Sequence, residues 1–85
     1  MENEVTNESA RIEQVERDSF IQGVAYCVGW LIMAHDQPCM AIDMLRHSGF
    51  GYDDLVKARC ASYDLKPIAK ELGLRLDGTK RKAKP

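Results

Sequence analysis

Several signatures of catalysis and of metal or cofactor binding are missing from the sequence. Its three cysteines are an odd number with no CxxC pair, so we expect no disulfide framework and interpret them as small core residues. No glycine-rich phosphate loop is present. His35, Cys39 and His47 match no standard zinc spacing, so no metal and no cofactor are expected. We therefore predict that the protein is not an enzyme, and no residue is assigned to catalysis.

The sequence also lacks a run long enough to cross a membrane. The longest uncharged stretch covers residues 20–34 (FIQGVAYCVGWLIMA), about five residues short of the roughly 20 that a bilayer requires. The first eighteen residues are acidic rather than basic and then apolar, so no signal peptide is expected. Few cysteines fit a reducing compartment. These features predict a cytoplasmic protein with no membrane partner.

What the sequence does contain is a strong helical pattern. On a helical wheel the stretch 20–34 is apolar on almost every side, so the rest of the chain or a second copy must surround it. No run of alternating β-branched residues indicates a strand. The prediction is an all-α fold, one long central helix packed by three short helices, and a dimer. Pro38, Gly49 and Gly73, with Asp36 or Gln37 as a possible cap of the second helix, place these helices near 12–34, 38–48, 53–61 and 65–73.

Charge divides the chain into three parts. Residues 1–18 carry six acidic side chains against two arginines, and the last eleven residues carry five basic side chains against one aspartate. The net charge of −1 conceals this asymmetry. We expect a flexible acidic segment over 1–10, a helical domain over 11–74 and a mobile basic tail over 75–85.

Small residues four apart favour self-association through the central helix. The pairs Gly23–Cys27 and Ala25–Gly29 would let the backbone of another helix approach closely. The flanking side chains are of types enriched at interfaces. The alternative is a monomer with Trp30 in its core. The predicted homodimer interface consists of Gly23, Tyr26, Cys27, Trp30 and Met33.

The end of the chain carries part of a nucleic-acid-binding motif. Residues 65–82 (LKPIAKELGLRLDGTKRK) resemble the first half of a helix-turn-helix and the LKELGL…GTK segment of the SAP motif. Both motifs need a second amphipathic helix, which Gly78 interrupts. The basic residues would make a weak, salt-sensitive contact with phosphate, and the alternative is a solubilising tail. The candidate nucleic-acid or partner contacts are Arg75, Lys80, Arg81, Lys82 and Lys84.

The order of short segments along the chain carries a second resemblance. The series GVAY, AHDQP, a short helix that ends in glycine, and YDLKPI resembles small helical proteins encoded by tailed bacteriophages and prophages. The resemblance implies a compact accessory protein that binds a host bacterial complex and regulates or inhibits it. That complex would serve replication, transcription or a defence system such as CRISPR or restriction. A nucleic-acid-binding module is the alternative, and a structural role in a virion comes third.

Overall fold

A computed structural model describes residues 2–80, with side chains from residue 8 onward. These residues form four α-helices and no strand. Between residues 2 and 80, the one β-type feature is an isolated antiparallel bridge between Leu74 and Lys80. The predicted all-α fold, with one long helix and three short ones, is therefore confirmed. The helices are α1 (Glu2–His35), α2 (Pro38–His47), α3 (Tyr52–Lys57) and α4 (Ser62–Leu72).

Helix α1 begins at Glu2, ten residues before its predicted start at residue 12. The prediction placed the start at the first residue of the apolar pattern. Residues 2–11 contain neither proline nor glycine, so nothing in them stops a helix from continuing toward the N-terminus. Across the part of the chain that the structure describes, no helix combines the length and the apolar character needed to span a bilayer.

The chain leaves α1 through a left-handed residue. Asp36 has a φ of 51°, and the Gln37 N–H donates to the Leu31 carbonyl at 3.0 Å, which closes the helix end. Pro38 then opens α2, as predicted, where its missing N–H is harmless. Of the two residues predicted as possible caps, Asp36 and Gln37, Gln37 takes the N-cap position, but its side chain makes no capping hydrogen bond. Gly49, with a φ of 84°, follows the end of α2 as predicted.

Helices α3 and α4 have different limits from those predicted. Helix α3 ends at Lys57 rather than at residue 61, because Arg59 adopts a φ of 59° and turns the chain. Helix α4 begins one turn early, at Ser62, where the Ala61 carbonyl accepts the N–H groups of the first turn. Pro67 consequently lies inside the helix rather than in its first turn.

The core lies between one face of α1 and the three short helices. Gly29 lies at a close approach of α1 and α4, since a Cβ built on it would lie 3.0 Å from the Asp64 carbonyl oxygen. Helix α4 of the same chain therefore packs at the Ala25–Gly29 pair. The prediction that this pair contacts a second copy is wrong. The buried residues are Ile21, Ala25, Val28, Ala41, Leu45, Tyr52, Leu55, Ala58, Cys60, Leu65, Ile68 and Ala69.

The three cysteines do not share one environment. Cys60 is buried, whereas Cys27 and Cys39 are exposed, and all three are free thiols. The prediction of a core position is therefore wrong for two of them. Burial raises the pKa of the Cys60 thiol, and the negative charges of Asp64 and Asp18 raise it further.

Residues 74–80 form a compact turn, named here the C-terminal turn, at the start of the basic tail predicted over 75–85. The Arg75 N–H donates to the Thr79 carbonyl at 2.8 Å, and the Asp77 carboxylate accepts from the Thr79 N–H and hydroxyl. The Tyr52 hydroxyl donates to the Leu76 carbonyl at 2.9 Å. Local hydrogen bonds and one contact to α3 therefore give this segment a defined shape, which an argument from its few core residues did not anticipate.

Candidate protein-binding surface

Helix α1 carries apolar residues on two opposite sides. On the inner side Ile21, Ala25 and Val28 follow the helical spacing of four and three, and all are buried against the other helices. On the outer side a second series follows the same spacing from residue 12 to residue 33, interrupted by polar or small residues near its middle. The large apolar members of this outer series, named here the outer stripe, are Ile12, Val15, Tyr26, Trp30 and Met33.

The outer stripe is open to solvent along its length. Its five side chains are between 48% and 70% exposed. Phe20 is also exposed, but its ring contacts Phe50 of the same chain at a centroid distance of 5.8 Å, so it does not belong to the stripe. Because α1 buries only its inner side within the chain, the outer side remains available to another molecule.

Ring contacts orient the aromatic part of the stripe. Tyr26 and Trp30 stack with centroids 6.4 Å apart and an interplanar angle of 18°. His35, the last residue of α1, meets the Trp30 ring edge-on at 6.2 Å. The monomer alternative placed Trp30 in the core of the single chain. Trp30 is instead 48% exposed. A pre-ordered aromatic pair loses little side-chain entropy when a partner covers it.

Helix α4 forms one wall of a groove beside the C-terminal end of the stripe. The groove has a volume of about 400 Å³ and contains Met33, Tyr63 and Pro67, with Lys66 and Lys70 at its edges. Tyr63 is 69% exposed. A smaller hollow next to it is lined by Tyr26, Gly29, Trp30, Met33, Tyr63 and Asp64. This end of α1 therefore offers apolar recesses whose lining also includes two lysines and one aspartate.

All five residues of the predicted homodimer interface are exposed on α1. A Cβ built on Gly23 would have no neighbour within 4 Å, and Cys27 is a solvent-accessible thiol. Sequence reasoning missed Ile12, Val15 and Tyr63. The first two continue the spacing of the stripe toward the N-terminus, so a signal for them was present. Tyr63 belongs to another helix, and only the fold brings it beside α1.

The predicted basic contacts fall in two places. Arg75 and Lys80 are exposed in the C-terminal turn, whereas Arg81, Lys82 and Lys84 lie outside the described residues. The helix-turn-helix and SAP resemblances require a second helix after α4. Residues 74–80 form a turn instead, so no second helix is present in that part of the motif.

The side chains of residues 8–80 include no group of three or more His, Cys, Asp or Glu residues placed to hold a metal ion. Within the same range, every buried side-chain nitrogen or oxygen has a hydrogen-bond partner. Comparison with known protein families, curated proteins and solved structures finds no match to this chain.

Proposed function

We propose that this protein acts by binding another protein through the outer stripe, without catalysing a reaction. The observation that carries the proposal is the second apolar side of α1, which the chain's own helices leave uncovered. Covering one aromatic ring removes about 150–250 Å² from water, and at ~25 cal/mol per Å² this gives several kcal/mol before the entropy of association. Two aromatic rings and a methionine next to a groove provide the kind of centre found at binding hot spots.

The target in this proposal is a bacterial protein complex, which the protein regulates or inhibits by occupying a surface. The proposed target is a defence system such as CRISPR or restriction, or the replication or transcription machinery. Support for this part comes from the order of GVAY, AHDQP and YDLKPI and its resemblance to small phage proteins. The free thiols support the bacterial cytoplasm as the place of action.

The proposal is tested by comparing two sets of exposed residues in a pull-down from bacterial lysate. The double variant Tyr26→Ala/Trp30→Ala removes the aromatic centre of the stripe. Met40→Ala removes a side chain on α2 that is 59% exposed, and it serves as the matched control. We expect the double variant to lose the bound protein and the control to retain it, with unchanged circular-dichroism spectra for both. Equal retention by both variants would overturn the proposal.

A nucleic-acid-binding module is the second candidate function. The observation that favours it is a set of exposed basic side chains on α4 and the C-terminal turn: Lys66, Lys70, Arg75 and Lys80. Contact with phosphate would make binding fall steeply with salt.

A salt titration with a short DNA duplex tests this second candidate. If it holds, Lys66→Gln/Lys70→Gln weakens binding and lowers the salt dependence by about one to two released counterions. Asp43→Asn, which removes an exposed negative charge from α2, is the control and should not weaken binding. Binding that is absent at low salt, or that is unchanged by the double variant, rejects the contribution of α4.

A further inference from the structure

We infer that a second copy of this chain covers the outer stripe, with the two α1 helices antiparallel and a two-fold axis between residues 22 and 23. The inference rests on the proposed function in one respect, that the stripe is a protein-binding surface. It adds that a second copy covers the stripe when no target is bound, so that the target and the second copy compete for this surface, and it adds the register of the two helices.

The three short helices leave a large part of α1 uncovered. From Glu8 to Phe20 no side chain of α1 is buried, and burial begins at Ile21. At ~1.5 Å per residue the helix is about 50 Å long, in a molecule that measures 57 × 30 × 21 Å. The N-terminal part of α1 that carries Ile12 therefore extends beyond the short helices, whereas Val15 lies beside the end of α3 but is still 63% exposed. A partner that lies along the N-terminal half of α1 would remove both side chains from water.

The stripe is also self-complementary when two copies of α1 run antiparallel. In the proposed register Ile12 faces Met33 of the second copy and Val15 faces Trp30. Each β-branched side chain of the projecting half thus meets a larger, flexible or aromatic side chain of the other half. Near the axis Gly23 has open space above it, which lets the two backbones approach. Every large apolar residue of the stripe obtains a partner except Tyr26, which faces the small Ser19.

Charge distinguishes the antiparallel pair from a parallel one. Residues 8–18 of α1 carry four acidic side chains against two arginines. The recesses at the other end of the stripe are lined in part by Lys66 and Lys70, which outnumber the single acidic residue there, Asp64. Antiparallel helices bring the acidic half of each copy beside these lysines, whereas parallel helices bring the two acidic halves together. Opposite charges at the interface favour the first arrangement and like charges disfavour the second.

Cross-linking between single cysteines tests the register. In a background with Cys27→Ser and Cys39→Ser, Ile12→Cys and Met33→Cys are prepared as separate full-length proteins, and buried Cys60 is retained. We expect a short bis-maleimide to give a covalent dimer when the two proteins are mixed, and little product from either alone. Two copies of residue 12 lie about 30 Å apart in this register, which is too far for the reagent. Cysteine is small and apolar, so neither change adds a polar group to the stripe.

Two further variants make the outcome decisive. Gly23→Cys, next to the proposed axis, should cross-link to its own copy in high yield. Glu13→Cys, at the same end as residue 12 but on another side of the helix, should not react with Met33→Cys. Self-cross-linking of Ile12→Cys would show a parallel pair and overturn the register. Absence of all products, with a 9.6 kDa species in solution, would overturn the second copy as occupant.

The proposed function can fail separately from this inference. A monomer that still loses a bound foreign protein on Tyr26→Ala/Trp30→Ala would reject the dimer and keep the stripe as a binding surface. A cross-linked antiparallel dimer whose double variant retains the foreign protein would support the dimer and move the target to another surface.

Discussion

At the scale of single residues, two glycines of α1 have opposite roles. Gly29 is buried, and a Cβ on it would lie 3.0 Å from the backbone oxygen of Asp64, which cannot rotate away. Gly23 lies six residues earlier in the same helix, and nothing would lie within 4 Å of a Cβ there. The first glycine permits close packing of α1 on α4. The second only weakens the helix, unless another molecule approaches it.

These two positions give a matched pair of alanine substitutions. Gly29→Ala should lower the free energy of unfolding by about 1–3 kcal/mol, because α4 must move away from α1. Gly23→Ala should raise it by about 0.5–1 kcal/mol, because alanine loses less backbone entropy in a helix. Urea unfolding of both variants, at a low concentration where sedimentation shows a monomer, measures the two effects. Stabilisation by Gly29→Ala would mean that α1 and α4 are less closely packed than described.

At the scale of the secondary-structure elements, α1 and the C-terminal turn show what the sequence could and could not predict. Number, order and approximate position of the helices followed from apolar spacing and from Pro38, Gly49 and Gly73. The start of α1 could not be predicted in this way, because polar residues without a helix breaker carry no boundary signal. The C-terminal turn was missed because its stability comes from Asp77 and from a hydroxyl on α3 that is distant in sequence.

The turn should respond to acid. Hydrogen bonds from the Thr79 hydroxyl and N–H hold the pKa of Asp77 below its usual range, with Arg75 adding a favourable charge. The folded pKa lies below the unfolded value of about 3.9, so the carboxylate stabilises the turn above that pH. This contribution is lost as the pH falls through the lowered pKa. We expect the amide of Thr79 to be protected from exchange at neutral pH and to lose that protection in Asp77→Ala, which removes the accepting oxygen.

An NMR titration of the Asp77 carboxyl carbon gives the direct check on this prediction. Its midpoint should lie below the value of about 3.9 for an unperturbed aspartate. A midpoint at or above about 3.9 would contradict the hydrogen bonds from Thr79.

At the scale of the whole molecule, a small domain carries a helix longer than its core can cover. The sequence indicated this imbalance, since its central stretch is apolar on nearly every side, and five exposed residues of α1 were assigned to an interface. It did not show which small residues α4 would occupy, because that depends on how the short helices return to α1. It also did not separate the inner series from the outer one, which required knowing which side of α1 the core covers.

Sedimentation analysis of the full chain is the most direct test of the central claim, that the outer side of α1 is a binding surface covered by a second copy. At roughly 50 µM, above the micromolar Kd of a modest interface, we expect a species of twice the 9.6 kDa chain mass. Trp30→Ala should return the protein to 9.6 kDa without loss of helical signal, and Met40→Ala should remain dimeric. A wild-type chain that sediments as a 9.6 kDa monomer at this concentration would contradict the account.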